Sequence, residues 1–164
     1  MRTRIVSLAA VSLAVVASTA GCTKGTVSDH STSGGSAPAI AGSAPVQVQV
    51  QVEQSGLGTI LTDQNGRTLY AFTHDKDGTS SCTGQCIATW PALAGRQGAT
   101  AGAGVDSSLL SQTTQAEGTV QTAYNKWPLY YYAGDSGPGD VDGQDVDGVW
   151  FALRPDGTLV RTNP

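Results

Sequence analysis

The segment Gly58–Asp75, GTILTDQNGRTLYAFTHD, lies without a gap on Gly118–Asp135, GTVQTAYNKWPLYYYAGD, sixty residues further along. Gly58, Thr59, Thr62, Asn65, Leu69, Tyr70 and Asp75 fall on Gly118, Thr119, Thr122, Asn125, Leu129, Tyr130 and Asp135. Ile60 meets Val120 and Phe72 meets Tyr132, and at the same offset Trp90, Ala92 and Leu93 meet Trp150, Ala152 and Leu153. An internal repeat of this kind means one supersecondary unit used twice, each copy covering an apolar face that its partner cannot bury alone. The repeats run over about 58–107 and 118–164. Architecture is thereby constrained much more tightly than chemistry.

Each copy reads as a β-hairpin. Gly58–Thr62 and Arg67–Phe72 are strands around Asp63-Gln64-Asn65-Gly66, whose Asn-Gly pair tolerates positive φ. In the second copy Thr119–Thr122 and Pro128–Tyr132 repeat the pattern, but Lys126 stands where the turn glycine was, so a different turn type is expected. Alternation along a strand puts Tyr70 and Phe72 on one face and Leu69 and Ala71 on the other. A long polar loop then leads to Trp90 or Trp150. A final hairpin, Val149–Arg154 to Thr158–Thr162, turns at Pro155-Asp156-Gly157. Short helical turns fit Cys82–Trp90 and Asp106–Ser111. Upstream, Val46-Gln-Val48-Gln-Val50-Gln-Val52 alternates as a strand with one buried face. The expected fold is all-β: a single small domain, residues 46–164, of two hairpin repeats related by a pseudo-twofold.

The beginning of the chain reads differently. Arg2 and Arg4 precede an uncharged apolar stretch, Ile5 to Ala17, and small residues then lead into Cys22, so residues 1–21 read as an export signal. Small residues before a cysteine resemble the lipobox of bacterial lipoproteins, which implies cleavage before Cys22 and a diacylglycerol on its sulfur. Thr19 stands where that pattern has Leu, and ordinary cleavage after Ala20 is the rival reading. Residues 22–45 are rich in Ser, Gly, Ala, Thr and Pro and read as a flexible tether, with His30 inside it. Of three cysteines, a lipidated Cys22 leaves Cys82 and Cys86, which an exported chain favours joining. Loss of Arg2 and Arg4 leaves seven basic residues against thirteen acidic ones. That balance opposes nucleic-acid binding and electrostatic attachment to anionic lipid.

Two further patterns carry a family resemblance. Tyr70-Ala-Phe72-Thr-His-Asp75 and Tyr130-Tyr-Tyr132-Ala-Gly-Asp135 share the pattern Tyr-x-aromatic-x-x-Asp. Cys82-Thr-Gly-Gln-Cys86-Ile-Ala-Thr-Trp90-Pro91 and Asn125-Lys-Trp127-Pro128-Leu129-Tyr130 accompany them. Together with the lipobox these motifs resemble the bacterial "secreted repeat of unknown function" predicted lipoproteins. The resemblance implies an extracytoplasmic, lipid-anchored protein and no defined reaction.

Taken by their chemistry, Tyr70, Phe72, Asp75, Tyr130, Tyr132 and Asp135 read first as structure: aromatics bury area, the phenol needs a partner, and the Asp caps the next turn. Tyr131, on the opposite face, is expected to be exposed. The loop Asp135–Gly148 holds Asp140, Asp142, Asp145 and Asp147 with glycines and no basic residue, a composition that could hold calcium although its spacing is not that of an EF-hand. Cys82 and Cys86 lack the Cys-x-x-Cys spacing of thiol exchange. His74 beside Asp75 gives no assembled triad. No cofactor is expected, and an enzyme is the weaker reading. The chain reads as a cell-surface lipoprotein with a non-catalytic binding or structural role. The alternative is a redox or metal-handling component of the envelope, and the protein or small-molecule ligand is undefined.

Overall fold

In the computed structural model the described residues are 47–75, 77–95 and 97–161. The expected signal peptide, Cys22, His30, the expected tether and Val46 lie outside them.

The first copy opens with β1, Gln49–Ser55, antiparallel to β2, Gly58–Asp63, with Val52 opposite Leu61. Its valines point inward as their alternation requires, Val50 fully buried and Val48 and Val52 packed beside it. β3, Tyr70–Phe72, follows, then the five-residue helix α1, Gln85–Thr89, and β4, Thr100–Ala101, which lies parallel to β1. A turn of 3₁₀ helix at Ser107–Leu109, capped by the Asp106 carboxylate on the Ser108 N–H at 2.9 Å, leads into the second copy. There β5, Leu110–Thr114, pairs with β6, Val120–Tyr124, which pairs with β7, Trp127–Pro128. β8, Trp150–Ala152, ends the series, and its chain turns back so that the Arg154 N–H donates to Thr158 O and the Val160 N–H to Ala152 O. Strand is the dominant regular structure, and the all-β expectation holds.

The strands before the hairpins belong to the repeat too, since β1–β2 and β5–β6 occupy equivalent places. The ungapped alignment nevertheless slips by one residue at β6. Leu61 N–H donates to Leu153 O. The matching bond in the other copy runs to Leu93 O from Thr122, one residue beyond the Gln121 that the sixty-residue offset specifies. Leu69 N–H returns to Leu61 O and Leu129 N–H to Thr122 O, so Ile60 corresponds to Gln121 and not to Val120. Turn lengths explain the slip. In the first copy a two-residue turn, Gly56-Leu57, precedes β2 and a three-residue one, Gln64-Asn65-Gly66, follows it. The second copy reverses the order, with Ala116-Glu117-Gly118 before β6 and Asn125-Lys126 after it. Asn125 and Lys126 both have positive φ, 46° and 67°, as a two-residue primed hairpin requires. The expected change of turn type is therefore present.

The copies exchange strands. β3 of the first pairs with β8 of the second, Ala71 opposite Phe151, while Tyr130 bridges both Tyr70 and Ala92. The pseudo-twofold passes between Tyr70 and Tyr130, each donating its N–H to the other's carbonyl at 2.9 Å. Two apolar clusters flank this junction. Leu69, Ala71, Leu129 and Leu153 belong to one, and Tyr70, Tyr130, Trp90 and Trp150 to the other. The face assignment made from strand alternation is the observed one.

Candidate functional site

The second cluster gathers the motif residues of both copies. β3 and the strand segment at Tyr130 project Tyr70, Phe72, Tyr130 and Tyr132 toward it, and the loops after them deliver Trp90 and Trp150. The two indoles stack with centroids 3.9 Å apart and 3° between planes. Each is flanked by an aromatic ring of the opposite copy: Phe72 lies 4.3 Å from Trp150, and Tyr132 lies 4.4 Å from Trp90. Tyr70 meets Trp90 edge-on at 5.5 Å and Tyr130 meets Trp150 at 5.2 Å. Such pairs add about 0.5–1.5 kcal/mol each beyond the area they bury.

The phenols are satisfied across the pseudo-twofold. Tyr130 donates to Asp75 Oδ2 at 2.7 Å, and Tyr70 donates to Asp135 Oδ2 at 3.0 Å. Each Tyr-x-aromatic-x-x-Asp motif therefore supplies a donor to its twin and an acceptor from it. Ser80 Oγ sits 2.8 Å from the Tyr130 phenol, and the Gly143 N–H donates to the Tyr70 phenol at 3.2 Å. The Asp carboxylates also cap their own loops, as expected. Asp75 Oδ1 accepts from Ser81 N and Oγ, both at 2.7 Å, and Asp135 Oδ1 accepts from the Asp142 N–H at 3.1 Å.

Burial raises the Tyr70 phenol far above its usual range, and the adjacent Asp135 raises it further. Tyr130 is raised likewise, first by burial and then by Asp75. The Asp135 carboxyl is itself raised by burial, against the lowering pull of its bonds from Tyr70 and Asp142. At neutral pH both phenols keep their protons, so they are donors and the site is a locked joint.

Several expectations change here. Tyr131 is not an exposed platform: its hydroxyl donates to the buried Asp63 carboxylate at 2.9 Å and the Arg67 guanidinium lies 3.9 Å over its ring. Burial raises this phenol as well. The acidic loop is folded inward by its own groups. Asp140 Oδ2 accepts from the Ser136 and Gly137 N–H groups, both at 2.8 Å, while Asp140 O accepts from the Thr68 hydroxyl. Asp142, Asp145 and Asp147 are exposed, with Asp145 and Asp147 in the left-handed region at φ 59° and 54°. Among the described residues no group of three or more His, Cys, Asp or Glu is placed to hold a metal ion. Cys82 and Cys86 are joined in a disulfide at the start of α1, with Cys82 buried beside the aromatic cluster. His74 is exposed and lies 4.8 Å from the Phe72 ring.

Missed from the sequence were Ser80, Ser81, Gly143 and Gln144, which close the loops on the joint. Gln144 Nε2 donates to Val160 O at 2.7 Å and its Oε1 accepts from the Ala152 N–H at 3.0 Å. A methyl placed on Gly143 would come within 2.7 Å of Tyr70 Cζ. Only a spatial pairing reveals them, for none lies in the repeated positions.

Residues 52–94 and 111–154 each match the family described as "Secreted repeat of unknown function". No curated protein matches the chain, and no solved structure matches it.

Proposed function

The chain belongs to the family of secreted repeats of unknown function, and from that membership we propose that it is a lipid-anchored, non-catalytic binding or structural module of the cell envelope. Its setting is extracytoplasmic. The observation that carries the non-catalytic reading is the reciprocal pair of Tyr–Asp bonds, Tyr130 to Asp75 and Tyr70 to Asp135. A catalytic carboxylate or phenol must reach its substrate, and these groups are used to fasten two halves together. Asp135 and Asp140 are likewise engaged in capping their loop, which opposes the metal-handling alternative. Support for the anchor is the lipobox-like approach to Cys22 and a Ser/Gly/Ala/Pro-rich segment that would hold the domain off the membrane. The acidic balance leaves the lipid as the means of membrane attachment and opposes nucleic acid as a natural partner.

The anchor is tested by Cys22→Ser in the producing cell. Release of the protein into the medium is expected, and retention with the membrane fraction would overturn it. The non-catalytic reading is tested with Tyr70→Phe and Tyr130→Phe. Both should lower the melting temperature while leaving intact any activity or ligand binding of the wild type. Loss of activity in a variant still folded at the assay temperature would sink it.

A further inference from the structure

The pseudo-twofold produces the same cleft twice, between a hairpin turn of one copy and the loop after the Tyr-x-aromatic-x-x-Asp motif of the other. One cleft is packed shut. A methyl placed on Gly66 would meet Pro138 Cβ at 3.0 Å and Glu53 Oε2 at 3.1 Å, and the Gly139 N–H donates to Gly66 O at 3.0 Å. At the counterpart, Gly78 stands in the place of Pro138, and a methyl there would meet only the Lys126 carbonyl, at 3.7 Å. The space that Pro138 fills on one side is open on the other, as a pocket of about 210 Å³ lined by Asp75, Asp77, Asn125, Lys126 and Trp127.

The residues that break the symmetry are the ones that furnish the pocket with chemistry. Asp77 replaces Gly137, Lys126 replaces Gly66 and Trp127 replaces Arg67. Trp127 is half-buried against the leucine-rich cluster, so its ring is held in place, while the Asp77 and Lys126 side chains are exposed at the rim. Backbone strain collects here as well. Asp77, Asn125 and Lys126 all have positive φ, 52°, 46° and 67°, and Lys126 holds this conformation where the mirror copy uses glycine. At Asn125 and Lys126 this conformation is the one the two-residue primed hairpin requires.

We propose that this pocket binds a single sugar ring of an extracytoplasmic glycan. An indole face presents the electron-rich surface on which the C–H face of a pyranose stacks. The Asp77 carboxylate and Asn125 Oδ1 around it supply acceptors and the Lys126 ammonium supplies donors for vicinal hydroxyls, Asn125 Nδ2 being engaged by Gly157 O at 3.3 Å. The volume suits one ring and is below that of drug-sized pockets. Asp75 contributes the wall only, since both its oxygens are already engaged by Tyr130 and Ser81. The inference rests on reading the domain as a non-catalytic binding module, and it names the site and ligand class.

The test is titration of the ¹⁵N-labelled full chain with methyl β-glucoside and N-acetylglucosamine, followed through the three tryptophan indole N–H signals. One sugar should shift the Trp127 signal with a dissociation constant in the millimolar range, leaving Trp90 and Trp150 unmoved. Asp77→Asn and Lys126→Gly, both compatible with the local backbone, should weaken that binding roughly tenfold each, while Arg67→Ala at the mirror cleft leaves it unchanged. Trp127→Phe, checked for folding by its spectrum, assigns the signal. A Trp127 signal that ignores both sugars, follows glycine in their place, or responds equally in Asp77→Asn overturns the proposal. A sugar response elsewhere on the domain would sink this site and leave the binding-module reading standing. An absence of folding loss in the two Tyr→Phe variants would strike that reading and leave this one to the titration.

Discussion

The loops that follow the two motifs do the same work by different means. In the first copy the chain between Asp75 and Trp90 is closed by the Cys82–Cys86 bond and by Ser80 and Ser81. Between Asp135 and Trp150 no cysteine is present. Asp140 ties the loop to itself, Gly143 lies against the Tyr70 phenol, and Gln144 bridges Ala152 and Val160. Both loops deliver a tryptophan to the same stack. What the fold requires is therefore the position of the indole, and covalent and hydrogen-bonded closures are interchangeable ways of fixing it.

If the stack is the shared requirement, the two indoles should be equally costly to remove. Trp90→Ala and Trp150→Ala should each destabilise by about 3–5 kcal/mol, measured by denaturant unfolding. A large inequality would show that one loop and not the stack holds the domain. The closures themselves come next. Cys82→Ser with Cys86→Ser should cost roughly 2 kcal/mol, from loop closure in the unfolded chain. Gln144→Ala should cost about 1–3 kcal/mol by leaving the buried Ala152 N–H and Val160 carbonyl unsatisfied. Only the wild-type form, not the cysteine-free one, should lose stability in reductant.

The phenol bonds sharpen the comparison further. Asp75 is 5 % exposed whereas Asp135 is half-buried, so water can replace a lost donor only at Asp135. Tyr130→Phe should therefore cost about 1–3 kcal/mol and Tyr70→Phe about 0.5–1.5 kcal/mol. Alkaline unfolding reads the same groups together. Tyr70, Tyr130 and Tyr131 have phenols raised in the folded state above the ordinary value of 10.0. Their contribution is complete below about pH 10 and is lost as the pH rises above it, because the unfolded chain gives up those protons first. Tyrosinate absorbance lost on replacing Tyr70, Tyr130 or Tyr131 by Phe should accordingly be the part that appears together with unfolding, and its appearance in the still-folded protein would contradict this. Asp135 follows the same sign in the acid range: its raised carboxyl favours the folded state at low pH, an advantage lost as the pH rises through its folded value. Smallest of all, Lys126→Gly should stabilise by roughly 0.5 kcal/mol, relief of left-handed strain outweighing the added chain entropy.

Much of the scaffold was legible in the sequence because it is local. Alternation assigned Tyr70 and Phe72 to one face and Leu69 and Ala71 to the other, Lys126 announced a changed turn, and the cysteine count anticipated Cys82–Cys86. The joint was not legible. Nothing in Tyr-x-aromatic-x-x-Asp says that its carboxylate receives the phenol of the other copy, since periodicity describes a strand's faces and not its partner. The slip at β6 was hidden because a shorter turn on one side compensates a longer one on the other. Tyr131 looked exposed for the same reason: the partners that cover it, Asp63 and Arg67, lie in the distant first hairpin.

The bond from Leu61 to Leu153 and the pairing of β3 with β8 also set an order of assembly. A secreted chain emerges with its N-terminal half first, and that half cannot complete its sheet until the last strand has arrived. Contacts this distant in sequence close slowly, because the intervening chain must be confined before they reward it. The Cys82–Cys86 link spans four positions and needs no such wait. Oxidation can thus preorganise the early half while it stands open, whereas the later half holds no cysteine and closes onto it through hydrogen bonds and the shared apolar clusters.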